Sequence, residues 1–185
     1  RAARDHADRH FTEPLDLGQL AAATDLPINA DLEGGFANTP EGVGDTIRLA
    51  ARAGVVGGSI EDSLPGSSVS LRDIPAATER VRAAVEAARG LAIPFLVTAR
   101  AENFFVGQPD LADTIRRLQA YQDAGADVLF APGLKDRSDI EVVLRSIDRP
   151  LNVMIGFPGM ELSASELIAM GVKRVSVGGS LARAA

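Results

Sequence analysis

Charged side chains fall where apolar runs end. Asp31 and Glu33 close INADLEGGF, Glu61 and Asp62 close VVGGSIEDS, and Arg100 and Glu102 close PFLVTARAEN. Alternate residues of a strand face the same way, so Asp31 and Glu33 in a strand would lie side by side and repel each other. A nearby positive charge would relieve that repulsion. Several carboxylates with one arginine among them suit a hard divalent cation, and an oxygen-only ligand set with retained waters suits Mg2+, with Mn2+ as the alternative. Caps on the following helices, or ion pairs with arginine, are the structural alternative for each acid. Arg100 follows a buried apolar run, and a charge leaving such a run needs a partner. It can clamp a substrate carboxylate or phosphate through two parallel hydrogen bonds, or neutralise Glu61 or Glu102.

Other residues that could do chemistry carry weaker signals. His6 and His10 have the i, i+4 spacing of a helical metal pair, but Arg1, Arg4 and Arg9 around them favour a solvated helix. Lys135 invites a Schiff-base reading, yet it stands in the helix-start sequence GLKDRSD and reads as a surface residue. Lys173 reads as structural. The VGGSLA turn could receive a phosphate or could serve close packing. With no cysteine in the chain, thiolate ligands, a cysteine nucleophile and disulfides are excluded from it.

The elements that must carry these residues show in the punctuation. DLPINADLEGG, AIPFLVTARAEN and DRPLNVMIGFPG each place a proline before an apolar run. They alternate with ARAGVVGGSIEDS, QDAGADVLFAPGL and IAMGVKRVSVGGS, where a glycine ends a helix and a strand follows. Helices are expected at 40–53, 75–89, 110–124, 138–147 and 163–170, with Thr39 as an N-cap before Pro40. One or two more are expected within residues 1 to 26. Short apolar strands alternating with helices predict a parallel sheet, its chemistry at the carboxyl ends of the strands. In order, those ends carry Asp31 and Glu33, Glu61 and Asp62, Arg100 and Glu102, Pro132 with Lys135 beyond it, Asn152, and Ser176 with Gly178 and Gly179.

Six strands fall two short of a closed (β/α)8 barrel. The expectation is one barrel domain over residues 1–185 that holds strands three to eight, the first two β/α units being missing. An open doubly wound sheet is the alternative, and no GxGxxG follows the first strand to support a dinucleotide fold. The chain has 185 residues, 46% of them apolar, enough for a substantial core, and a net charge of −6 that argues against nucleic-acid binding. No apolar run approaches the roughly 20 residues of a membrane span, and a cytoplasmic location is the expectation. The opening Arg1 suggests processing or a missing start.

The stretch LPINADLEGGFANTPEGVGDTIRLAARAGVVGGSIEDS, with VTARAENF, YQDAGADVLFAPGL, RPLNVMIGFPG and GVKRVSVGGSLARAA, resembles the isocitrate lyase and phosphoenolpyruvate mutase superfamily over residues 25 to 185. The resemblance implies a (β/α)8 TIM barrel, a homotetramer with swapped terminal helices, and Mg2+ holding a 2-oxo acid or its enolate. It maps metal ligands onto Asp31, Glu33 and Glu61, and contact with a small carboxylate substrate onto Arg100. Glu102 and Asn152 join Arg100 around the substrate, and Arg100, Glu61 and Asn152 carry the catalytic roles. The implied reaction is carbon–carbon cleavage or decarboxylation. Phosphoenolpyruvate or phosphonopyruvate mutase or hydrolase chemistry is the alternative, and a catalytically lapsed carboxylate-binding barrel is the reading from another class. The loop EDSLPGSSVSLRD lacks the lysine, cysteine and histidine that family lyases and mutases place there, leaving Ser67, Ser68 and Ser70 as candidates to cover the substrate, with an ordinary loop as the alternative.

Overall fold

The structure, a computed structural model, describes residues 16–64 and 70–181. His6, His10, Ser67 and Ser68 lie outside the described residues. Along the chain run α1 (Leu17–Ala22), β1 (Asn29–Asp31), α2 (Pro40–Arg52), β2 (Gly57–Glu61), α3 (Ile74–Arg89), β3 (Leu96–Arg100), α4 (Leu111–Asp123), β4 (Val128–Phe130), α5 (Arg137–Ser146), β5 (Leu151–Met154), α6 (Ala164–Met170) and β6 (Arg174–Ser176). Each strand pairs in parallel with the next, in the order β1-β2-β3-β4-β5-β6.

Local chemistry sets the helix ends. Thr39 accepts from the Gly42 amide at 3.3 Å with Pro40 in the first turn, and Asp73 and Asp110 cap α3 and α4 in the same way. Ser163 and Glu166 form a capping box at α6. Gly54, Gly125 and Gly171 follow α2, α4 and α6 with φ of +93°, +97° and +107°, where a side chain would be strained.

The strands are two-faced. Ala30, Ile60, Val97, Ala99, Leu129, Leu151 and Val153 are buried in the core. They meet Val43 and Ile47 of α2, Val81 and Ala84 of α3, Leu118 of α4, Ile140 and Val143 of α5 and Leu167 of α6 in one cluster. The alternate residues line a cavity on the other face: Asn29 and Asp31, Ser59, Thr98 and Arg100, Phe130, Asn152 and Met154, then Arg174 and Ser176. The short strands, expected from their apolar runs to be buried on both faces, are apolar outward and mostly polar inward. The sheet is curled into a half-barrel. Arg174 of β6 donates to Thr98 Oγ1 of β3 at 3.0 Å, a span no single side chain crosses on a flat sheet at roughly 4.8 Å per strand.

Behind the ends of β2 and β3 lies a buried polar network. Asp62, 2% exposed, accepts from the Glu102 amide at 2.9 Å, from Tyr121 Oη at 2.6 Å and from Arg117 Nη1 at 3.1 Å. Arg117 also donates to the Arg72 carbonyl at 2.8 Å and to Asp113 at 2.6 Å. Burial and the Asp62 charge raise the Tyr121 hydroxyl well above its usual range, so it stays a neutral donor. Asp62 thus faces the helix layer, not the mouth, which corrects the expectation that it shares the mouth with the other acids. The cause is α4, whose Arg117 and Tyr121 give the buried carboxylate its partners.

Burial works to raise the Asp113 carboxyl, but hydrogen bonds from Arg117, Asn103 and Arg116 outweigh it and bring it from 3.8 to about 2. A depressed carboxyl stabilises the fold above its unfolded value, and that contribution is lost as pH falls through the folded one. Urea midpoints of the protein should therefore drop between pH 4 and 2, and Asp113→Asn, less stable at neutral pH, should flatten that drop. An unchanged slope in the variant would show that Asp113 does not carry it.

Candidate active site

Arg100 ends β3 and turns inward, its side chain 11% exposed. Three carboxylates from three strand ends surround its guanidinium. Nη1 meets Asp31 Oδ2 at 2.6 Å, Nη2 meets Glu61 Oε2 at 3.1 Å, and Nε meets Glu102 Oε1 at 2.7 Å. The Phe130 ring lies beneath, its centroid 5.6 Å from Cζ.

Each carboxylate is held from its own side. Asp31 Oδ1 accepts from Ser59 Oγ at 3.1 Å and from the Glu33 amide at 3.2 Å. Ser63 Oγ donates to Glu61 Oε1. Glu102 is fixed through its amide on Asp62. Asp31 is the open member, with its side chain 62% exposed against 17% for Glu61 and 2% for Glu102.

Burial pushes the Glu102 carboxyl up to about 7 despite the pull of Arg100, and the Glu61 and Asp62 charges add to the rise. Burial also opposes the Arg100 charge, but Glu102, Asp31 and Glu61 hold it above its ordinary value. Three carboxylates on one guanidinium leave a surplus of negative charge at the mouth.

Asn152 of β5 is buried in the same cavity. Its Nδ2 donates to Ser176 Oγ at 3.0 Å, and its Oδ1 has no partner. Glu33 does not join the group around Arg100. The strand stops at Asp31, and Glu33 sits in the turn beyond it with φ +48°, so the face-sharing expected of a strand does not apply. Its amide and carbonyl are used, the carbonyl accepting from Glu61 N at 2.9 Å. Among the described residues, no three His, Cys, Asp or Glu side chains are arranged to cage a metal ion, because Arg100 occupies the space between the carboxylates. Lys135 is exposed, lies over Gly159 and does not line the cavity. Lys173 precedes β6, its amide bonded to the Leu151 carbonyl at 3.4 Å.

Sequence reasoning missed Ser59, Thr98 and Arg174, which line the cavity, and Arg80, which supports it. For the first three the signal was the alternation in GSIE, VTAR and RVS. Arg80 of α3, 4% exposed, donates to the carbonyls of Gly34, Ala37 at 2.6 Å and Asn38 at 3.4 Å. Burial, and then repulsion from Arg72, lower its pKa. These bonds hold a turn in which Glu33, Gly35 and Phe36 all have positive φ. At Gly35, φ +87°, a Cβ would stand 2.8 Å from the Val43 methyls.

The sequence family described as phosphoenolpyruvate phosphomutase matches residues 3–185. The chain belongs to that family. It is 33% identical over 159 residues to a 2-methylisocitrate lyase of Corynebacterium glutamicum, covering 81% of this chain and 50% of that protein. A Burkholderia cenocepacia structure described as a lyase/mutase is 52% identical, with a TM-score of 0.87 over 98% of this chain and 63% of that one. A phosphonopyruvate hydrolase bound to oxalate and Mg2+ is 25% identical, with a TM-score of 0.77 over 91% of this chain and 59% of that one. The chain spans 50 to 64% of the length of the curated relatives it matches.

Arg80→Met should cost about 3 kcal/mol in chemical denaturation, since it strands buried carbonyls of the turn. Arg80→Lys, which keeps the charge and a subset of the bonds, should recover part of the loss. Wild-type stability in both variants would remove Arg80 from this role.

Proposed function

We propose that the intact protein is a Mg2+-dependent carbon–carbon lyase or decarboxylase, acting on a small 2-oxo or 2-hydroxy carboxylate within a closed (β/α)8 barrel. The observation that carries this is the convergence of Asp31, Glu61 and Glu102 on Arg100 with negative charge in surplus. The donors fit Mg2+, which keeps several waters and takes one or two carboxylates with its substrate in place of a full protein cage. Asp31, exposed at the mouth, is suited to direct ligation, and Glu61 to holding a water. Glu33 is the weakest of the three expected ligands, its residue lying beyond the strand. When bound, the ion supplies positive charge that orients a 2-oxo carboxylate and stabilises developing negative charge.

The chain's own groups then have defined work. Asp31 would help hold the ion, and Arg100 Nη1, which faces it in this structure, would be the donor placed to serve a substrate carboxylate. The Nε bond to buried Glu102 keeps the guanidinium plane in place meanwhile. Asn152 offers its uncommitted Oδ1 as an acceptor to a substrate hydroxyl. Hydrolysis or rearrangement of a phosphonate is the second reading, favoured by similarity to the phosphonopyruvate hydrolase.

Calorimetric titration of the full-length protein with oxalate, a planar mimic of pyruvate enolate, tests the proposal. Binding should require Mg2+, and Asp31→Ala should abolish it while leaving the thermal unfolding transition intact. Absence of binding with and without Mg2+ would favour the lapsed, non-catalytic barrel. Mg2+-dependent binding unchanged in Asp31→Ala would remove Asp31 from the metal site.

A further inference from the structure

The cavity, about 600 Å³, carries a second cation that the strand-end cluster does not use. Arg174 opens β6, half-buried, on the inward face beside Asn152 of β5. Its Nη1 donates to Thr98 Oγ1 at 3.0 Å and, among the described residues, its guanidinium pairs with no carboxylate. A guanidinium offers a fork of N–H donors and a permanent charge, so most of those donors and the whole charge are left over. Arg100, by contrast, is already shared by three carboxylates. A second anionic group on a ligand finds its unpaired cation at Arg174.

The groups beside Arg174 add donors. Thr98 Oγ1 accepts from Arg174 and Ser176 Oγ accepts from Asn152 Nδ2, and among the described residues neither hydroxyl donates its own hydrogen. Thr98 is 2% exposed, and Ser176 lies two residues after Arg174 on the same inward face. Thr98 also stands two residues before Arg100 on β3, so Arg174 meets that strand about 7 Å deeper than Arg100 leaves it, toward the amino ends of the strands.

We infer that Arg174 determines specificity by taking a second carboxylate at the substrate's remote end, which then points into the barrel and not out of its mouth. This rests on the 2-oxo carboxylate reading above and narrows its substrate class to dicarboxylic acids. One guanidinium charge balances one carboxylate, and the Thr98 and Ser176 hydroxyls supply further donors to its oxygens.

Three ligands share one oxalyl head. Oxalate has no tail, N-oxalylglycine adds a tail carboxylate, and N-oxalylglycinamide carries the same tail as a neutral amide. In calorimetric titration of the full-length protein with Mg2+, the acid should bind at least about tenfold tighter than the amide, the gain expected of a charge-assisted pair. Arg174→Met should bring the acid down to the affinity of the amide while oxalate stays within about twofold. Arg174→Gln, which keeps an N–H for Thr98, should do the same, and Arg174→Lys should retain part of the preference. If oxalate binds but acid and amide bind alike, or the preference for the acid survives in the Met and Gln variants, the subsite is overturned and the metal-site reading stands. Equal loss of all three ligands in both variants would make Arg174 a support of the barrel and would overturn the subsite too. If oxalate does not bind the wild-type protein, the metal-site reading fails and the inference falls with it.

Discussion

The guanidinium of Arg100 is the constraint around which the strand ends are arranged. A permanent charge at the end of the buried strand β3 needs partners, and it finds them on its own strand's extension and on the two strands before it. Three carboxylates on one cation would repel one another without separate supports. Ser59 and the Glu33 amide hold Asp31, Ser63 holds Glu61, and Asp62 holds the backbone of Glu102. Two arginines on helices extend the support outward. Arg80 fixes the turn after Asp31, and Arg117 fixes Asp62 together with the chain at Arg72.

The division of the strands between two environments makes this arrangement stable. Outward residues join the helices in one apolar cluster, so the inward residues are free to be polar. The inward set is mixed, with Asp31, Arg100 and Arg174 charged, Ser59, Thr98, Asn152 and Ser176 polar, and Phe130 and Met154 apolar.

Much of this was legible from the chain. The alternation of proline-led and glycine-led segments predicted six strands with helices between them, and the helix bounds agree to within about a residue because Thr39, Ser163 and the glycines after α2, α4 and α6 mark them locally. The pairing of Arg100 with Glu61 and Glu102 followed from the cost of a lone buried charge. What was not legible depended on contacts distant in sequence. Asp62 turns away from the mouth because Tyr121, 59 residues on, offers it a hydroxyl. Glu33 leaves the strand because the left-handed turn, held by Arg80 from 46 residues away, begins directly after Asp31. The polar inward alternation of Ser59 and Thr98 was present in the sequence but hidden by the glycines and alanines beside them.

The central claim is that the carboxylates around Arg100 form a cation site that hands a donor to the substrate. Anomalous diffraction from crystals of the full-length protein grown with Mn2+ and oxalate tests it most directly. The account predicts a manganese peak beside the Asp31 carboxylate, oxalate against that ion, and Arg100 drawn off Asp31 while it keeps Glu102. A peak elsewhere, or Arg100 still bridging Asp31 and Glu61 with oxalate bound at another place, would contradict it.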